Sequence, residues 1–301
     1  MLALTDPGIL FATLLGGLSR AMILFLLSSG LSLIFGVMNI LNFAHATLWL
    51  IGGYITFSIF SFITDGMGFA ESGLILAVSI VLGTSVMVVI GYLIERLLIS
   101  RMYERELPEQ LLLTFALILI IGDVIKIIWG VEDRSIFLLN EPWEILDTFV
   151  NPYYFIIIAT GCAVAAGLWW FLQKTRYGKI VRAAVYSREM VGALGIRIPM
   201  IYAGVFALGV GIAGFSAGVF LPLMPMALGV DIDLIVQCFA VVVIGGFGSI
   251  LGTFVASIMV GIVYAISILV WPDGALAVIF LIVVAVLILR PWGLFGTELR
   301  F

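Results

Sequence analysis

The chain has 301 residues, of which 63% are hydrophobic and 11% charged, and its mean hydropathy is +1.29. Ordinary water-soluble domains carry about a quarter charged residues, so this composition excludes a soluble domain and indicates a polytopic membrane protein. The net charge of −4 says little about partners, because the two signs are sorted by position along the chain.

A bilayer crossing takes about 20 apolar residues, and runs of that kind occur at about 9–35, 44–63, 73–95, 111–130, 152–173, 200–224, 232–246, 250–270 and 275–290. The expected fold is therefore all-α, a bundle of about 8–9 membrane segments making one domain over 1–301. The start, MLALTDPG, lacks the basic region of a cleavable signal, and the run after it is long enough to stay as a span.

The first run carries Arg20 about half-way along. A lipid-facing charge there costs at least ~2.5 kcal/mol on insertion scales, so Arg20 is expected to face protein or water. It either pairs with an acid such as Asp6 or Asp233 or meets a substrate carboxylate. At the join of the first two runs, GVMNILNFAHATLWL places Asn39, Asn42, His45 and Thr47 near hydrocarbon. Polar side chains there are costly unless paired or facing a cavity, so they either staple a helix break or contact substrate. His45 is the only histidine, which excludes a multi-histidine metal site. Asp123 and Lys126 lie three positions apart and can pair on one helix face. Asp123 is the one plausible membrane carboxylate, and it lies close to a span end, which counts against proton coupling.

The 130–151 segment is acidic and aromatic and reads either as a plain connector or as a lid or docking surface. By contrast, 174–199 gathers Lys174, Arg176, Lys179, Arg182, Arg188 and Arg197 against the single acid Glu189. By the positive-inside rule this loop is cytoplasmic. Ile180, Ala183, Ala184, Met190, Val191 and Leu194 recur within it at roughly helical spacing, so a short amphipathic helix is expected over 178–196, with Arg182, Arg188 and Glu189 toward water. Fixing this loop inside and alternating outward puts Arg96, Arg101, Arg105, Arg290 and Arg300 inside as well. Asp6, Asp65, Glu71, Glu132, Asp133, Glu141, Glu144, Asp147, Asp231, Asp233 and Asp273 then fall outside. The N-terminus is expected outside and the C-terminus cytoplasmic.

Glycines cluster at 204, 209, 211, 214 and 218, where close helix approach is expected. The seventh run is short and ends in Gly245, Gly246, Phe247, Gly248 and Ser249, so it is either a broken or re-entrant helix or is closed by a tight cytoplasmic turn. Cys162 and Cys238, both in apolar runs, read as small buried hydrophobes. The chain contains no GxxxxGK[ST] phosphate loop and no nucleophile elbow, so any ATP that drives it is bound elsewhere.

GLSLIFGVMNILNFAHATLWLIGGY, Gly30–Tyr54, resembles the signature of bacterial permeases of high-affinity branched-chain amino acid ABC transporters, the LivH type. Arg182-Ala183-Ala184, Ser187-Arg188-Glu189-Met190 and Leu194-Gly195-Ile196 are similar to that family's cytoplasmic coupling segment, and Gly245–Ser249 matches it too. Order and spacing agree over nearly the whole chain. Two departures stand out: Ala46 replaces the glycine that usually follows NFAH, and Leu251 stands where a proline often follows GGxGS. The resemblance implies a multi-pass protein of the bacterial inner membrane that shares a translocation pathway with a paralogous LivM-type permease. It also implies two cytoplasmic ATPase subunits that hold ATP and Mg, and a periplasmic solute-binding protein that delivers substrate. This chain would bind no cofactor and no nucleic acid. Coupling to the ATPases would fall to Arg182, Tyr186, Ser187, Arg188, Glu189, Met190, Leu194 and Gly195, with Asn39, Asn42, His45, Thr47, Arg20, Gly245, Gly246 and Gly248 on the pathway or at helix breaks. Substrates in the family range over branched-chain and other amino acids, urea and short amides, and some organic acids. The rival reading is a secondary carrier that works without ATP.

Overall fold

The computed structural model describes residues 6–138 and 141–296. Arg300, expected on the cytoplasmic side, lies outside them.

Helix α1, Pro7–Met38, is the axis of the molecule. The Asp6 carboxylate accepts from the backbone of Gly8 at 2.8 Å and Ile9 at 3.4 Å, and Pro7 occupies the first turn, where its missing N–H costs nothing. Every residue from Ala21 to Ile34 is buried. A helix that is apolar all round belongs inside a bundle, and α1 is enclosed by α2 (His45–Ser61), α5 (Tyr153–Lys174), α8 (Ile198–Phe220), α9 (Val230–Gly245) and α10 (Ile250–Val270).

Small residues set the approach distances. A Cβ built on Gly17 would lie 2.9 Å from Ala265 Cβ and 3.1 Å from the Gly261 carbonyl oxygen, so α1 and α10 cross backbone to backbone. One on Gly30 would lie 2.6 Å from the Gly209 carbonyl oxygen, and one on Gly52 2.8 Å from Gly214 Cα. In lipid no hydrophobic force drives helices together, so such close van der Waals contact carries association. The expected clustering of glycines in the sixth span thus has a structural use: Gly209 faces α1, Gly214 packs on Met87, and Gly211 packs on Val88.

The outer helices bury one stripe each. In α3 (Gly73–Leu97) that stripe is Leu76, Ser79, Ile80, Gly83, Met87, Gly91 and Glu95, and in α4 (Leu107–Trp129) it is Gln110, Thr114, Leu117, Ile121 and Ile125. Their remaining faces are exposed and apolar, as a lipid-facing surface requires. Cys238 is buried, but Cys162 is exposed on α5, because the positions around it face outward, apart from Gly161. Asp123 and Lys126 do pair, at 3.1 Å, on the exposed face of α4.

Eight segments among the described residues are long and apolar enough to cross a membrane. The ninth candidate, α9, has 16 residues and so spans about 24 Å, short of a hydrocarbon core of about 30 Å. Residues 143–150 form a small antiparallel hairpin, β1 (Trp143–Ile145) with β2 (Thr148–Val150), turned by Leu146 and Asp147 at φ 53° and 56°. Arg134 exchanges both backbone hydrogen bonds with Met226, at 3.0 and 2.7 Å, tying the 130–151 segment to the α8–α9 connection.

The single amphipathic helix expected over 178–196 is two helices, α6 (Arg176–Tyr186) and α7 (Arg188–Ala193). Ser187 is extended between them, at φ −159° and ψ 103°, and its Oγ accepts from the Met190 backbone at 3.2 Å. Serine competes for backbone donors and so favours a cap over a helix interior. The last helix, α11, covers Ala275–Leu289.

Candidate functional site

Three of the four polar residues at the first helix junction, Asn42, His45 and Thr47, are buried. Helix α1 stops at Asn39, which adopts the left-handed conformation at φ 57° and is exposed. Asparagine tolerates that conformation better than other non-glycine residues. Chain 40–44 then turns back along α1, and α2 starts beside its middle. His45 Nε2 donates to the Leu27 carbonyl at 3.1 Å, eleven residues before the end of α1, which at 1.5 Å per residue is roughly 16 Å along its axis. A Cβ on Gly30 would approach His45 Nε2 to 3.0 Å, so Gly30 makes room for the imidazole.

Asn42 is fully buried, and neither atom of its side-chain amide has a hydrogen-bond partner, while its backbone carbonyl accepts from the His45 N–H at 3.2 Å. Thr47 donates to Asp231 Oδ2 at 2.5 Å. Asp231 is buried in the first turn of α9, where the helix dipole favours a carboxylate. Alternating the spans outward from 174–199 put Asp231 on the outer side without assigning it a partner. The usable signal was its position before a short apolar helix. Glu95 was not singled out in the sequence: it is fully buried near the end of α3, where the Tyr103 hydroxyl donates to it and Arg96 Nε lies 4.0 Å away.

Arg20 pairs with neither Asp6 nor Asp233, and no carboxylate among the described residues lies within ion-pairing distance. Instead its terminal nitrogen donates to Gln237 Oε1 on α9 at 2.8 Å, and its guanidinium carbon stands 3.9 Å from the ring centre of Tyr264 on α10. It lines a cavity of about 520 Å³ bounded by the first half of α1, the start of α5 and the ends of α8 and α10. Gln237 and Tyr264 escaped the sequence reading because each stands alone in an apolar helix.

Gly245 to Ser249 form a tight turn. Gly246 and Gly248 have φ 93° and 78°, which glycine adopts freely. Ser249 caps α10 by accepting from the Gly252 N–H at 3.0 Å, and the Gly248 N–H donates to Ser32 Oγ at 3.2 Å. The carbonyls left over at the end of α9 are also used: Leu294 and Phe295 donate to Ile244 and Gly245 at 2.8 and 3.1 Å.

On α6 and α7, Val181, Ala184 and Val191 pack inward, while Tyr186, Met190 and Leu194 are 85%, 70% and 79% exposed beside Arg188, Glu189 and Gly195. Arg182 is half-buried. The break at Ser187 turns Met190 and Leu194 away from the face that helical spacing had assigned to Val191. Tyr177 fastens this elbow to α8, donating to the Ile201 carbonyl at 3.2 Å above Gly204, and burial raises its phenol pKa. An exposed apolar cluster rimmed by charge is the usual form of a protein-binding surface.

The family model described as "Branched-chain amino acid transport system / permease component" matches residues 13–289. BraD of Pseudomonas aeruginosa, a high-affinity branched-chain amino acid transport system permease protein, is 24% identical over 293 residues, covering 94% of each chain. LivH of Escherichia coli, of the same description, is 25% identical over 282 residues and 90% of each chain. The probable branched-chain amino acid transport permease protein LivH of Methanocaldococcus jannaschii is 24% identical over 304 residues, covering 94% of this chain and 91% of its own. No solved structure gives a significant match. With eight apolar spans and a match running from the first turns of α1 to the end of α11, the chain is a multi-pass membrane protein that belongs to the family of branched-chain amino acid transport permease components.

Proposed function

We propose that this chain is the non-catalytic membrane subunit of an ATP-driven importer of branched-chain amino acids, resident in the bacterial inner membrane. A paralogous permease would complete the pathway, two cytoplasmic ATPases would hold ATP and Mg, and a periplasmic binding protein would deliver substrate at the end of the bundle where 130–151 lies. The N-terminus is then outside and the α6–α7 elbow inside. The carrying observation is that elbow: Tyr186, Met190 and Leu194 project away from the bundle beside Arg188 and Glu189, while Tyr177 ties the same element to α8. A partner pressing on it moves a transmembrane helix. ATP shifts such a bundle between outward- and inward-open states only as far as it binds the two states with different affinity.

The test is co-purification with the neighbouring gene products and measurement of substrate-stimulated ATP hydrolysis for wild type, Arg188→Glu and Met190→Asp. Both substitutions are expected to lose about five- to thirtyfold in stimulation, since a buried interfacial group costs on the order of 1–2 kcal/mol, with membrane insertion unchanged. Undiminished stimulation in both variants, or liposome transport by this chain alone without ATP, would refute the assignment.

A further inference from the structure

Arg20 is a cation within a membrane helix, and no carboxylate among the described residues lies within ion-pairing distance of it. A guanidinium has five N–H donors. One donates to Gln237, whose own amide nitrogen in turn donates to the Asp233 backbone carbonyl at 3.3 Å, and Nε has no partner at all. The Tyr264 ring lies under the guanidinium and holds its plane. The group is thus oriented by two helices without being neutralised, and it borders the cavity of about 520 Å³. That volume is within the ~300–1,000 Å³ common for small-molecule sites. Apart from Thr13 and the hydroxyls of Tyr154 and Tyr264, the remaining walls are apolar, with Ile23, Phe220, Leu223 and Ile268 prominent. Tyr154 enters from α5 beside Gly16, where a Cβ would make ordinary contact with its ring at 3.8 Å. Among the described residues no acidic side chain lines the cavity.

We infer that Arg20 receives the carboxylate of an aliphatic α-amino acid in this cavity, with the apolar walls taking the side chain and Tyr154 presenting its ring and hydroxyl to the ammonium. This deepens the importer reading and rests on it for the identity of the solute. The chemistry explains why the arginine is kept despite its insertion cost: planar, bidentate donors match a carboxylate. It also assigns the selectivity. The carboxylate is the required group, because the one full charge in the site is positive.

Thr13 lies two helical turns before Arg20 on the same face of α1 and also lines the cavity. The experiment places a single reactive thiol there, Thr13→Cys in a Cys162→Ser background, leaving only the buried Cys238. The full-length chain, with the subunits that co-purify, is held in phosphatidylcholine nanodiscs and labelled with a sulfonate-bearing or a trimethylammonium-bearing thiosulfonate. The anionic reagent is expected to react at least about tenfold faster, reflecting the nearby cation in a medium of intermediate dielectric. Leucine at about nine times its dissociation constant is expected to slow labelling about tenfold, while leucinamide, which lacks the carboxylate, leaves the rate unchanged. Arg20→Lys should keep the preference for the anionic reagent and Arg20→Gln should abolish it. Equal protection by leucine and leucinamide, or none by either, overturns the inference. So does protection that appears only when phosphatidylglycerol is added, which would assign Arg20 to a lipid phosphate. The readout needs no ATP turnover, so an inactive transporter and an unused site give different results.

Discussion

Thr47→Val removes one hydroxyl and leaves Asp231 buried without its hydrogen-bond donor. The carboxylate is 6% exposed, and its 2.5 Å bond from Thr47 is the one that joins α2 to the start of α9. Breaking a hydrogen bond to a buried charged group costs about 1.5–3 kcal/mol, and the full penalty of stranding the charge reaches about 3–5 kcal/mol. The helix dipole at the α9 N-terminus offsets about 0.3–1 kcal/mol of that, so a net loss of about 2–3 kcal/mol is expected. That reduces the folded-to-unfolded ratio by roughly 30- to 150-fold. Asp231→Asn keeps an acceptor for the hydroxyl and removes the charge, so it should cost less than about 1 kcal/mol. In the double variant the loss from Thr47→Val should shrink, giving a coupling of at least about 1 kcal/mol. The assay is unfolding of the purified protein in mild detergent, followed by tryptophan fluorescence and by size-exclusion profile after heating. If Thr47→Val matches wild type, or if the two single losses simply add, the bond does not organise this junction.

Gly30→Ala should lower the unfolding temperature markedly, because its Cβ meets the Gly209 carbonyl oxygen at 2.6 Å and His45 Nε2 at 3.0 Å, whereas Gly122→Ala, with nothing within 4 Å, should be neutral or stabilise by up to about 1 kcal/mol. Comparable destabilisation by both would mean that α1 and α8 are not in contact at Gly30. His45→Ala frees the Leu27 carbonyl and opens space beside Gly30, and Asn42→Ala removes an unpartnered buried amide. His45→Ala should therefore reduce both stability and uptake, while Asn42→Ala, relieved of about 1–3 kcal/mol of desolvation, should be at least as stable as wild type. Lower stability in Asn42→Ala would show that the amide has a partner in the membrane. Tyr177→Phe removes the tie to Ile201 at 3.2 Å, a loss of about 0.5–1.5 kcal/mol. Uptake should fall more than ATP hydrolysis does, and equal losses would argue against transmission through Tyr177.

The number and limits of the apolar segments were legible in the sequence because hydrocarbon imposes a length and a composition on each one independently of its neighbours. Runs expected at about 9–35 and 250–270 became Pro7–Met38 and Ile250–Val270. The short seventh run became the 16-residue α9, and Gly245–Ser249 the turn that closes it. Caps were readable for the same local reason, as with Asp6 before Pro7 and Ser249 before Ile250. The break at Ser187 carried a local signal too, a serine followed two residues later by the acid Glu189, and helical spacing outweighed it in the reading.

Which partner each polar group meets was decided only by the tertiary structure. Arg20 and Gln237 are 217 residues apart, and Thr47 and Asp231 are 184 apart. Nor could periodicity pick out α1 as the axis, since Ala21 to Ile34 is apolar on every side and shows no face. In water an amphipathic pattern tells a helix which way to turn. In lipid the outside is as apolar as the inside, so orientation is set by where small residues let backbones touch and where isolated polar groups find one another. Those contacts exist only once the helices have packed.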